Sequence, residues 1–270
     1  MTSYQHHAGA DVMELDGSSL YYEISGSGPA VVLVHGMTLD TRMWDDQVPG
    51  LSEVATVIRY DARGFGRSTR DPGVAYTHAG DLWTLLDRLD VPRAALVGLS
   101  MGGRTVLEAT LVAPERVSAL VVMDAVVDGL PWDEDSARQM LAVGEAVRSG
   151  GVEAAKEAWL AHGFFAPAQR SPEIAARLAT MIADYSGVHW TAPDPHGAHP
   201  AVLTLLGTIT VPTTVIVGAL DVPGFRGMAQ VLGSRIPNAR TIVVPDAGHM
   251  VNMEAPGVVT DELRAVASSL

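Results

Sequence analysis

The chain of 270 residues carries 31 acidic against 18 basic side chains, a formal charge of -13 at pH 7, and 47% hydrophobic residues. That is enough for one sizeable folded core, and the acidity argues for solubility and against a nucleic-acid partner. Having no cysteine and Lys156 as its single lysine, it excludes disulfides, thiolate-bound metals and cysteine nucleophiles, and leaves little room for Schiff-base or phosphate-loop lysine chemistry.

In chain order, the first residues, MTSYQHHAGADVMELDG, lack the basic start and apolar run of a secretory signal. No segment reaches the ~18 uninterrupted apolar residues of a membrane span. A cytoplasmic protein without a membrane partner is therefore expected, and His6 and His7 are read as tail residues rather than a metal site. Residues 12–15 and 20–24 flank Asp16-Gly17, a turn signal between two strand-like runs. Gly26-Ser27-Gly28 precedes a strand rather than a helix, so it is a turn and not a dinucleotide fingerprint.

Short continuous runs rich in Val, Ile and Leu follow at Ala30–Val34, Thr56–Tyr60, 94–97, 120–123, 214–217 and 241–244. Such runs mark strands buried on both faces of a parallel sheet. Helical patterns lie at 81–89, at 105–112 before Pro114, and at 258–270. Strands alternating with helices predict an α/β fold with a doubly wound, mostly parallel sheet.

Residues 128–206 break the alternation, with helical patterns at 136–147, 152–160 and 173–183 and no buried strand. The expected organisation is a core of 1–127 and 207–270 interrupted by a helical lid over 128–206. The acidic Trp132-Asp133-Glu134-Asp135 suits a helix entry, where negative charge complements the helix dipole. His196-Gly197-Ala198-His199, with His189 nearby, lacks the helical spacing of a metal pair and reads as a loop. No metal and no cofactor are expected.

Gly98-Leu99-Ser100-Met101-Gly102 stands between a strand-like run and a helical pattern. A serine there sits on a tight turn that lifts its hydroxyl clear of the backbone, and the glycines remove side chains that would collide. A serine nucleophile needs a base. His249 follows the last strand-like run and reaches the same sheet edge. The imidazole in turn needs an acid, which Asp221 supplies from the end of Gly218-Ala219-Leu220-Asp221. Backbone N–H groups of Met101 and of Met37, in His35-Gly36-Met37, would receive the oxyanion, with His35 holding the loop. Candidate pocket residues are Leu39, Val222 and Met250 beside the catalytic positions, and Trp132, Phe164, Phe165 and Trp190 from the lid. These apolar walls suit an apolar or aromatic group.

Together with Asp61-Ala62-Arg63-Gly64-Phe65-Gly66-Arg67-Ser68 and Gly248-His249…Glu254-Ala255-Pro256, these motifs resemble those of α/β-hydrolase-fold serine hydrolases along essentially the whole chain outside the lid. Residues 59–68 and the elbow with its second glycine, Gly103, are similar to enol-lactone hydrolases and related small carboxylesterases. The resemblance implies hydrolysis of a small or medium ester or lactone through an acyl-enzyme on Ser100, and structural roles for Asp61, Arg63 and Ser68. It disfavours dehalogenase and epoxide-hydrolase chemistry, which place an aspartate at the elbow, and it makes Asp124, after the 120–123 run, the competitor of Asp221 for the triad acid, since some members of the family place the acid there. C–C bond hydrolysis of dienoic ketones and perhydrolase or acyl-transfer activity remain open on the same triad, as does a binding role on an inactive scaffold. Monomer and homodimer are equally compatible with the sequence.

Overall fold

Asp16-Gly17 closes a hairpin in which β1 (Gly9–Leu15) and β2 (Ser18–Gly26) pair antiparallel with Leu15 opposite Ser18. Gly17 takes the φ of 64° that so short a turn favours. In the computed structural model, which describes residues 8–194, 197 and 201–270, this hairpin is the antiparallel edge of one sheet. The remaining strands are β3 (Ala30–Val34), β4 (Thr56–Tyr60), β5 (Ala94–Leu99), β6 (Val117–Met123), β7 (Thr213–Gly218) and β8 (Ala239–Val244). Their order is β1-β2-β4-β3-β5-β6-β7-β8, antiparallel as far as β4 and parallel beyond it.

The apolar runs lie where the sheet is covered on both sides. Every residue of β3, β5 and β7 is buried, whereas β8, at the edge, leaves Val243 58% exposed. Ten α-helices and five short 3-10 helices complete the described chain, the α-helices being α1 (Val48–Ser52), α2 (His78–Arg88), α3 (Met101–Val112), α4 (Glu134–Leu160), α5 (Pro172–Asp184), α6 (Val188–Thr191), α7 (Val202–Leu205), α8 (Pro223–Arg235), α9 (Val251–Glu254) and α10 (Pro256–Ser268). The strand order reverses at β3: the chain steps outward to β4 and then back to β5. Right-handed crossovers therefore send α1 to one face and α2, α3 and α8 to the other. Accordingly α1 packs with α10, α2 with α3, and α8 on β7 and β8. A crevice at such a reversal, outside the carboxyl ends of the strands, is where open α/β sheets bind ligands.

Between β6 and β7 the described chain holds only helices and turns, as expected. The patterns at 136–147 and 152–160 belong to one element, α4, broken at Gly151, whose φ of 76° and ψ of -164° lie outside helical geometry. Three core helices, α1, α8 and the four-residue α9, are not legible in the sequence. Helix α1 has only five residues, too few to show a period. Helix α8 buries Phe225, Met228, Ala229 and Leu232, a clean i, i+3, i+4, i+7 face, but Gly224, Gly227 and Gly233 dilute its helical signal. His6, His7, His196 and His199 lie outside the described residues. No described helix is long and apolar enough to cross a membrane.

Candidate active site

Ser100 links β5 to α3 with φ 57° and ψ -115°, a left-handed conformation unusual for a residue bearing a Cβ. The turn is held by its own N–H, which donates to the Met123 carbonyl at 3.0 Å, and by its carbonyl, which accepts from Arg104 and Val126. The flanking glycines are required by contact. A Cβ on Gly98 would stand 2.2 Å from the Gly102 carbonyl oxygen, and one on Gly102 would stand 2.1 Å from that of Val34. The backbones of β3, β5 and α3 thus meet with no space between them.

Met101 opens α3, and the first N–H groups of a helix have no intrahelical acceptor. The loop after β3 comes alongside: a Cβ placed on Gly36 would lie 3.5 Å from the Ser100 Cβ. His35 is committed to that loop. Its Nε2 accepts the Ala62 N–H at 2.8 Å, which leaves Nδ1 to donate to the Gly36 carbonyl at 2.7 Å. Asp61 accepts the backbone N–H groups of Thr41 and Arg67, Ser68 Oγ donates to the Asp61 carbonyl, and Arg63 makes two bonds to the Asp81 carboxylate. These contacts hold the loop in place and tie it to α2 through the Arg63–Asp81 pair.

His249, after β8, is buried, and its Nδ1 lies 2.9 Å from Oδ2 of Asp221, after β7. Asp221 Oδ1 accepts the Val222 N–H at 2.7 Å. Glu254 secures the histidine loop by accepting the N–H groups of Gly248 and Met250, and burial pushes its carboxyl above the usual range. Asp124, after β6, is also buried and accepts the Gly218 N–H through Oδ1 at 3.0 Å. Burial, then the neighbouring Asp221 charge, pushes its carboxyl well above the usual range. One donor atom from each of Asp124, Asp221 and His249 falls within 4.8 Å of the others, a metal-like spacing in which His249 Nδ1 is already engaged by Asp221.

A cavity of about 230 Å³ opens on Ser100, lined by Met37, Met101 and mostly apolar or aromatic side chains. Trp132 and Phe164 line it. Leu39, Phe165, Trp190, Val222 and Met250 do not. Leu39, Phe165 and Met250 are spent in the core, Trp190 packs on Trp159 and Tyr185, and Val222 enters α8. Their places are taken by Phe65, Val126, Met140, Trp159 and Phe225, with His78, Arg104, His189 and Asp194 as polar lining. Phe225 also packs on the imidazole of His249, ring centres 4.1 Å apart, and Phe164 does so at 5.1 Å, so the histidine borders the cavity wall. Two of the missed residues had a local signal: Phe65 lies in the Gly-Phe-Gly turn and Arg104 one helical turn beyond Ser100. Trp159 and Phe225 are brought in by tertiary packing alone.

The family model for the alpha/beta hydrolase fold matches residues 29–256. The chain is 29% identical over 264 residues to 3-oxoadipate enol-lactonase 2 of Acinetobacter baylyi, covering 95% of this chain and 96% of that one. Among solved structures it is similar to a thermophilic esterase from Thermogutta terrifontis, with 31% identity, a TM-score of 0.79, and 93% and 94% of the two chains covered. It is also similar to the enol-lactonase from Burkholderia xenovorans LB400, with 26% identity, a TM-score of 0.79, and coverage of 96% and 100%.

Proposed function

The chain belongs to the alpha/beta hydrolase family, and we propose that it cleaves a small or medium carboxylic ester or lactone through an acyl-enzyme on Ser100. The observation that carries this reading is a serine held in a left-handed turn on a cavity whose lining rings, Phe164 and Phe225, pack on a buried histidine engaged by Asp221. With Nδ1 donating to Asp221, Nε2 is the nitrogen left to accept a proton. Ser100 Oγ attacks the ester carbonyl carbon and its proton passes to His249 Nε2. The N–H groups of Met37 and Met101 receive the oxyanion. Collapse of the tetrahedral intermediate breaks the C–O bond, and the departing alkoxide takes the proton from His249. Water then gives a proton to the same nitrogen, attacks the acyl carbon and releases the acid with Ser100 restored. In a lactone the departing alcohol stays tethered to the acyl group, so the product is one hydroxy or oxo acid.

In this reading residues 128–206 act as a lid between the core segments 1–127 and 207–270, because Trp132, Trp159 and Phe164 supply the cavity wall facing Ser100. The enclosure and its aromatic lining favour an apolar acyl or alcohol group. The test is labelling by a fluorophosphonate, read by mass on the Ser100 peptide, alongside turnover of short p-nitrophenyl esters and a lactone panel. Ser100→Ala should abolish labelling and lower kcat by about 10⁴-fold or more. Full turnover in Ser100→Ala would overturn the reading. Dienoic ketones in the same panel measure the competing C–C bond chemistry.

A further inference from the structure

Two buried carboxyl groups meet behind His249, and the mechanism uses only one. Asp124 and Asp221 leave the ends of neighbouring parallel strands, β6 and β7, and a carboxyl oxygen of each lies within 4.8 Å of the other. Two negative charges this close and shut off from solvent repel strongly, which favours a proton on one of them. The donors are unequally divided. Asp221 accepts from Val222 N–H and from His249 Nδ1, whereas Asp124, among the described residues, accepts only from Gly218 N–H. Its Oδ2 is shut off from solvent and accepts no hydrogen bond from any described residue. The backbone holds Asp124 there at φ 41°, with its N–H on the Ile216 carbonyl at 3.0 Å.

The other titratable groups facing the pair do not balance a second negative charge. Glu254 adds acidic character from after β8. His162, from the chain between α4 and α5, sits on Phe164 with ring centres 3.7 Å apart, and burial pushes its imidazole below the ordinary range, which keeps it neutral. His249 carries a positive charge only transiently in the proposed cycle.

We propose that Asp124 and Asp221 share one proton, with the hydroxyl on Asp124 Oδ2 and the charge on Asp221, so that Asp124 is a positioning residue for the His249–Asp221 pair. The inference rests on the serine-hydrolase reading for its effect on turnover, but not for the proton itself. The hydroxyl of Asp124 donates to the Asp221 carboxylate while its Oδ1 holds Gly218 N–H, and Gly218 begins the loop that carries Asp221. Asp221 is thereby fixed from both sides with a single charge behind the imidazole. A second charge would stabilise the imidazolium and move the acid limb of kcat/KM upward in pH.

The infrared difference between the wild type and Asp124→Asn, at about pH 8, far above the ordinary carboxyl range, should show loss of a protonated carboxylic acid C=O stretch. Loss of carboxylate bands instead would overturn the proposal. In the pH profile, Asp124→Asn exchanges one neutral group for another, so the acid limb should stay in place; a downward move of about one pH unit or more would mean that an anion had been removed. Asp124→Ala should lower kcat about tenfold with KM little changed, and Asn, which keeps both a donor and an acceptor, should recover most of that loss. Turnover in the Ala variant equal to the wild type's would remove the positioning role. If Ala fails to fold, the infrared spectrum and the acid limb of the Asn variant still decide. A wild type that resists fluorophosphonate labelling would sink the serine-hydrolase reading while leaving the infrared result to judge the shared proton.

Discussion

The indole Nε1 of Trp159 donates to Oγ1 of Thr38 at 2.7 Å, both residues buried, and Thr38 Oγ1 in turn donates to the Met37 carbonyl at 2.6 Å. Helix α4 is thereby fastened to the loop whose Met37 N–H is proposed to meet the oxyanion. The chain is short, two bonds, and its middle member sits at φ 64°.

Trp159→Phe keeps the ring's bulk and deletes the donor. It should lower stability by about 1 kcal/mol, the net value of a buried hydrogen bond, and reduce kcat several-fold by loosening the Met37 loop. Thr38→Val should lose a similar amount. A double-mutant cycle in thermal melts and kcat checks the coupling: two losses that simply add would show that the bond does not join these elements.

Asp221→Asn should lower kcat by about 10³- to 10⁴-fold, because an amide neither fixes the imidazole tautomer nor stabilises the imidazolium. Steady-state kinetics on a chromogenic ester, run beside Asp124→Asn, makes the comparison. Wild-type turnover in the Asp221 variant would transfer the acid's role to Asp124.

Glycine substitutions should divide sharply by position. Gly98→Ala would drive its Cβ into backbone at 2.2 Å and should cost about 3 kcal/mol. Gly227→Ala, in α8 with open space around it, should instead stabilise by about 0.5–1 kcal/mol through helix propensity. Denaturant melts of the two variants, at equal m-value, test this contrast.

The raised carboxyl of Asp124 also predicts a pH dependence of stability. Burial and the Asp221 charge hold its folded form protonated above the unfolded value of about 3.9. Its contribution is therefore complete below that unfolded value and is lost as pH rises toward the folded one. Asp124→Asn has no such slope, so its Tm relative to the wild type should increase steadily from about pH 5 to about pH 9. Calorimetry across that range is the measurement, and a constant difference would contradict the assignment.

Much of the architecture was legible because the physics behind it is local. Strands such as Ala30–Val34 are apolar along their whole length since both faces are covered, and the elbow needs glycine at 98 and 102 because backbone occupies the space of a Cβ. Helix α8 was missed although its buried face is regular, because three glycines weaken its propensity signal. The cavity was the least legible part. Neighbourhood in sequence nominated Leu39, Val222 and Met250, but a side chain next to a catalytic residue along the chain points wherever its own turn sends it.

Length, acidity and the absence of cysteine bounded the chemistry; residue order set the strand runs, the tight serine turn, and the histidine and two aspartates at strand ends. These depend on interactions within a few residues or on the alternation of buried elements. Only the tertiary structure decided that Asp221 rather than Asp124 holds His249 Nδ1, that Phe225 and Trp159 wall the cavity, and that Trp159 reaches Thr38. Each of those joins groups more than 25 residues apart, and their approach is set by how the sheet twists and the helices pack, a property of the whole chain that no short segment encodes.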